Sequence, residues 1–134
     1  MWRIWYRQQV GKILCRIWAD FNAYKKEKLN SYQIKEALQR LIQTINQTEN
    51  PLEKALIAVL MIAYIQPFED GNKRTGRILA NAILFAHNYC PLSYRSVDEI
   101  EYKKGIILFY EQNNASYFKK LFIEQFEQAV QKYF

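Results

Sequence analysis

Glycine and proline are scarce, four and three among 134 residues. That scarcity removes most of the case for collagen-like and turn-rich all-β folds. Cysteine is nearly absent. Cys15 and Cys90 form no CxxC pair, which excludes a disulfide scaffold and a zinc ribbon. Two free thiols fit a reducing, cytoplasmic setting. The longest apolar run is Ala55 to Ile65, about half of the ~20 residues needed to span a bilayer. The opening Met1-Trp-Arg-Ile-Trp-Tyr-Arg7 has no uninterrupted apolar stretch behind it, so a signal peptide does not fit. The expectation is a soluble cytoplasmic chain with no membrane partner.

Apolar residues are plentiful. They make up half of the chain, and 16% of it is aromatic. That is ample for a packed core and excludes a disordered chain. The length is that of one domain. Nineteen basic and thirteen acidic residues leave a net charge of +6. Such a surface favours anions: nucleotides, nucleic acid or acidic membranes. The charge does not choose among them. The aromatics sit at core spacing and do not interleave with the basic residues, which argues against single-strand nucleic-acid binding.

Helical periodicity dominates, and the expectation is an all-α bundle. Val10, Ile13, Leu14, Ile17, Trp18 and Phe21 form a stripe at spacings of three and four over residues 2–21. Residues 24–30 read as a lysine-rich loop. A short hairpin within the first 35 residues stays open. From Ser31 an amphipathic stretch runs through Ile34, Leu38, Leu41, Ile42 and Ile45. Asn50 as cap, Pro51 at the first position and Glu53 three residues after the cap then mark a strong helix start. The apolar residues 55–65 follow. A helix apolar on every face is surrounded by others, so 51–65 should be the central pillar. It stops before Pro67. A further helix is expected over about 73–87, burying Ile78, Leu79, Ala82, Ile83 and Phe85. Asp98 or Ser96 can cap another through Ile100, Ile106, Ile107 and Phe109. Ser116 can cap the last, with Phe118, Leu121, Phe122, Phe126, Val130 and Tyr133 inside.

The informative segment is Gln66-Pro-Phe-Glu-Asp-Gly-Asn-Lys-Arg-Thr-Gly-Arg77. Free N–H groups at a helix start, beside a glycine that admits a ligand, make an anion site. Lys73, Arg74 and Arg77 gather at that end, against the helix dipole. An arriving polyanion would neutralise them. Asp70 adds a carboxylate suited to Mg²⁺ between phosphate oxygens. Phe68 is an apolar anchor that can pin the turn into the core. The bland alternative is a solvated turn in which Glu69 and Asp70 pair with the arginines.

The segment resembles the signature of the Fic/Doc (Fido) family, H-P-F-x-D/E-G-N-G/K-R-x-x-R, at every fixed position but the first. The resemblance extends over about residues 36–134, through the 51–65 helix, the stretch following Arg77, the Pro91-Leu-Ser-Tyr-Arg95 loop and Phe122-Ile-Glu-Gln125. It makes 36–134 the Fic-like domain, with residues 1–35 an unassigned segment packing on it. It implies an all-α Fic fold. The backbone of Gly71, Asn72 and Lys73 would cradle the phosphates of ATP. Asp70 would hold Mg²⁺. Arg74 and Arg77 would contact phosphate oxygens and steady the transition state. Phe68 would be structural. Active members transfer AMP to a Ser, Thr or Tyr hydroxyl of a target protein, and the motif's histidine takes the proton.

Two departures stand out. Gln66 occupies the place of that histidine, and an amide accepts no proton near neutral pH. It can still orient a hydroxyl, so Gln66 joins Arg74 and Arg77 as a catalytic-site candidate. His87, the sole histidine, lies 21 positions on, about 20 Å along the next helix, and reads as a helix C-terminal residue. Lys73 stands where most AMP-transferring members have glycine. The Doc branch, which transfers phosphate, has lysine there, yet generally lacks the final arginine kept here as Arg77. The family's inhibitory Ser/Thr-x-x-x-Glu helix is not found at Ser31, Thr44, Ser96 or Ser116. Control would then come from a regulatory or antitoxin partner. The expectation is a Mg·ATP-binding Fic protein with weakened or absent transfer. The alternatives are an active nucleotidyl- or phosphotransferase and a basic toxin–antitoxin or nucleic-acid interaction protein.

Overall fold

Every described segment with a periodic apolar pattern is a helix. The computed structural model describes residues 30–133. They form α1 (Ser31–Gln47), α2 (Pro51–Ile65), α3 (Asn72–Ala86), α4 (Glu99–Gln112) and α5 (Ser116–Tyr133), with no strand among the described residues. The stripe over 2–21 lies outside them. So does all of the hairpin region except residues 30–35, of which 31–35 are helical. Among the described residues no helix is long and apolar enough to cross a membrane.

α2 is the pillar. Leu56, Ile57, Ala58 and Leu60 are fully buried, and so are their neighbours around the helix. Fully burying a Leu or Ile side chain contributes about 1.5–3 kcal/mol, so this helix anchors the fold. α3 packs on it most extensively, α1 and α4 also lie against it, and α5 packs on α4. The α2–α3 approach depends on Gly76. A Cβ there would sit 3.3 Å from the Val59 carbonyl oxygen and 3.4 Å from Ile62 Cβ.

Helix starts follow the sequence with two corrections. The Asn50 side chain accepts from the N–H of Leu52 at 2.9 Å and of Glu53 at 3.5 Å. The reciprocal half of a capping box is not made there, because Glu53 is buried and its Oε1 has no partner. The complete capping box is instead at α1, between Asn30 and Gln33. Ser116 does not cap α5. It is the first helical residue, and its N–H donates to Asn114 Oδ1 at 3.0 Å. Asp98 caps α4.

The inner faces also differ in part from expectation. Ile78, Phe85, Ile100, Ile107 and Ile42 are exposed, as is Ala82, while Gly76, Ala80 and Leu84 are the buried residues of α3. Gly76 packs on α2, and Ala80 and Leu84 lie four and eight residues on along the same face; among the described residues nothing covers Ile78, Ala82 and Phe85. Val130 also lies on the exposed side.

Burial pushes the Glu53 carboxyl above its ordinary 4.5. The folded chain therefore holds that proton more tightly than the unfolded chain. Stability contributed by this group falls as pH rises from 4.5 through the raised value. Glu53→Gln should flatten that part of the stability curve. Thermal melts from about pH 4 to about pH 7 check it: the difference between the two proteins should shift in the variant's favour with rising pH.

Candidate functional site

The turn between α2 and α3 holds the site. Pro67 has no N–H, so α2 ends and Gln66 takes a left-handed backbone with φ 49° and ψ 61°. Its own N–H makes the last helical bond, to Ile62 O at 3.0 Å. Gly71, at φ 80°, starts α3. That conformation strains any residue with a Cβ. No side chain caps this start, unlike those of α1, α2 and α4.

The turn is closed by Asn72. Its Oδ1 accepts from the Phe68 N–H at 2.9 Å, and its Nδ2 donates to the Phe68 carbonyl at 2.8 Å. Asp70 Oδ1 accepts from the Gly71 N–H at 2.8 Å. This corrects the anchoring role expected of Phe68. Its ring is 53% exposed, and the Asn72 amide holds its main chain instead. Asn72→Ala should remove both bonds, at a net cost of about 1–2 kcal/mol. Hydrogen exchange reads it directly: the Phe68 amide should exchange at least about tenfold faster in the variant.

Gln66, Asp70, Gly71, Asn72, Lys73, Arg74 and Arg77 all line one cleft of about 710 Å³. The wall opposite the turn comes from Tyr94, in the loop after α3, and from Glu99 and Tyr102 on α4. Asn81 sets that loop. Its Nδ2 donates to Leu92 O at 2.8 Å and its Oδ1 accepts from Leu92 N–H at 2.9 Å. Sequence reasoning missed the tyrosines, whose spacing resembles that of core residues.

Arg77 lies between two rings. Its guanidinium carbon is 4.2 Å from the centroid of Tyr102 and 5.1 Å from that of Tyr94. Its Nε is buried without a hydrogen-bond partner. Burial raises the Tyr102 pKa, and Arg77 opposes the shift. The Lys73 ammonium also sits over Tyr102, 5.3 Å from the centroid. Burial, then the Arg77 charge, lower its pKa, against the pull of Glu99 at 3.9 Å. Arg74 is exposed. The cleft thus holds three cations, one stacked and one partly desolvated.

His87 is the C-cap of α3, and its Nδ1 bonds the Ile83 carbonyl at 2.9 Å. It does not line the cleft. Among the described residues no three His, Cys, Asp or Glu side chains cluster to hold a metal.

The model of the Fic/DOC family matches residues 10–84, more than half of the chain. The chain belongs to the Fic/DOC family. The match takes in residues 10–35, where the residues alone point to no family, and the whole 66–77 turn. Over 53 residues this Fic/DOC chain is 42% identical to a protein adenylyltransferase Fic of Nematostella vectensis. That covers 40% of this chain and 12% of the other. It is 35% identical over 60 residues to a protein adenylyltransferase of Caenorhabditis elegans, covering 45% and 12%. A Fido domain-containing protein of Dictyostelium discoideum is 39% identical over 80 residues, 56% of each chain. The matches thus span from about an eighth to just over half of the relatives' length. No solved structure matches.

Proposed function

We propose that the 66–77 cleft binds ATP with Mg²⁺, and that AMP transfer to a protein Ser, Thr or Tyr hydroxyl is weakened in this chain by Gln66. The observation that carries this is Arg77, whose Nε is buried and unpartnered beside Lys73, Arg74 and an uncapped helix start. Polyphosphate oxygens are the acceptors such a donor set fits. Asp70, with Glu69 beside it in the lining, fits Mg²⁺, which is held by one or two carboxylates together with phosphates. The ion would supply neutralising charge between phosphates. Lys73 and Arg74 bind the phosphates, and the stacked Arg77 keeps its donors in one plane. Gln66 orients the incoming hydroxyl by hydrogen bonding and removes no proton. The relatives named as protein adenylyltransferases support AMP transfer as the parent chemistry.

Calorimetric titration with Mg·ATP tests the site. Arg74→Ala should weaken binding about tenfold or more, because charge-assisted phosphate bonds contribute about 1.5–3 kcal/mol. Asp70→Ala should weaken it only when Mg²⁺ is present. Binding as tight as the unchanged chain in both variants overturns the assignment.

A further inference from the structure

The loop between α3 and α4 is pinned at two points. At one, the Asn81 side chain of α3 makes both of its bonds to the main chain of Leu92. At the other, Ser96 is tied to α5: its Oγ accepts from Gln125 Nε2 at 2.9 Å and donates to Gln128 Oε1 at 2.8 Å. Between the pins Tyr94 takes φ 57°, left-handed backbone that a bulky side chain rarely adopts. Strain of this kind persists only where the surroundings over-determine it, and it concentrates at functional positions. Here it delivers a ring. Tyr94 is buried and meets Tyr102 at 89°, with centroids 5.7 Å apart. Two rings at right angles make a corner. The Arg77 guanidinium sits in it, 4.2 Å from the Tyr102 centroid and 5.1 Å from that of Tyr94.

We propose that Tyr94 is the positioning residue for Arg77, and that Asn81 sets it from outside the cleft. Tyr102 alone bounds the guanidinium on one side and lets it slide across the ring. The perpendicular Tyr94 ring closes that direction. An arginine side chain has large rotamer freedom, and freedom removed before a ligand arrives no longer opposes binding. The buried, unpartnered Arg77 Nε is then held where an incoming acceptor meets it. That acceptor, the phosphates of Mg·ATP, rests on the proposed function; the corner itself does not. Asn81 follows Arg77 by about one helical turn. It does not line the cleft and acts on Arg77 through Leu92 and the loop.

The test reads Arg77 in the ligand-free protein and needs no activity. In ¹⁵N-labelled protein the Arg77 Nε–H signal, assigned by its loss in Arg77→Lys, should show a nuclear Overhauser contact to the Tyr94 ring. Tyr94→Leu removes the ring and keeps an apolar group, and the signal should then exchange at least about tenfold faster. Asn81→Ala should shift it in the same direction. Tyr94→Phe keeps the corner and should leave the signal unchanged. Tyr89→Leu removes another ring of the segment after α3, one that packs on Phe126 of α5 at 6.0 Å, and should also leave it unchanged. Absence of the contact in the unchanged protein overturns the proposal, even if no variant folds. So does an unchanged signal in a folded Tyr94→Leu. Equal acceleration in Tyr89→Leu would mean a generally loosened loop and would overturn it too. The second arm is calorimetric. Tyr94→Leu and Asn81→Ala should weaken Mg·ATP binding about threefold or more, while Tyr94→Phe binds as the unchanged chain does. Full-strength binding in a variant whose Arg77 signal has loosened overturns the positioning role. If the unchanged chain binds no Mg·ATP, the proposed function fails and the Arg77 signal still decides the role of Tyr94.

Discussion

Gln66→His should raise AMP transfer from α-labelled ATP by about 100-fold or more over the unchanged chain. A positioned base is worth 10²–10⁴-fold, about 3–5 kcal/mol of barrier. Gln66 stands at the exposed mouth of the cleft with its backbone fixed at φ 49°. Histidine has a similar reach, and the substitution leaves Lys73, Arg74 and Arg77 in place. The protein's own hydroxyls or a target protein can accept the label, and gel autoradiography reads it. Label arriving from γ-labelled ATP instead would mean that Lys73 sets the nucleotide in the opposite, phosphate-donating orientation. An unchanged chain as active as the variant would overturn the weakened-enzyme reading. Silence in both, together with tight Mg·ATP binding, would place the defect in target docking, away from the phosphate cradle.

Phe118→Ala should cost about 3–5 kcal/mol of stability, a large part of the total for a domain of this size. Phe118 is fully buried. Its backbone passes so close to α4 that a Cβ on Gly105 would lie 3.2 Å from Phe118 Cα. Its ring meets Tyr102 edge-on at 5.1 Å between centroids. Tyr102 in turn meets Tyr94 at 5.7 Å and carries the Arg77 guanidinium. The truncation therefore acts twice. It opens a cavity between α4 and α5, and it frees the ring on which Arg77 lies. Urea unfolding measures the first effect. The second should appear as weaker Mg·ATP binding under conditions where the variant is still folded. A variant with wild-type stability would show that α5 is not part of the cooperative core.

Much of this was legible in the residues. Asn50-Pro51 and the unbroken apolar run after Lys54 predict α2, and the structure buries it on nearly every side. Gln66, Asp70, Gly71, Asn72, Lys73, Arg74 and Arg77 do share one cleft. Contacts supplied by distant elements were not legible. Tyr94 and Tyr102 look like core aromatics, and only the loop held by Asn81 and the path of α4 bring them over Arg77. Exposed apolar residues misled for a related reason. Periodicity shows that Ile78 and Phe85 are apolar but not whether a neighbouring helix covers that side. Phe68 failed as an anchor because a competing local bond, from Asn72 to its main chain, already closed the turn.

The close passage of Gly76 along Val59 and Ile62 has a kinetic consequence. Among the described residues α2 and α3 share the most extensive helix contact, and they are joined by only six residues, 66–71. Short loops close with little entropic penalty and early in folding. The hairpin is therefore expected to form in the transition state, ahead of the docking of α4 and α5. In a chevron analysis Gly76→Ala should slow refolding and leave unfolding nearly unchanged. The 66–71 turn would then be assembled before the tyrosines that cover Arg77 arrive, so a nascent chain would present its cations bare first and stacked later.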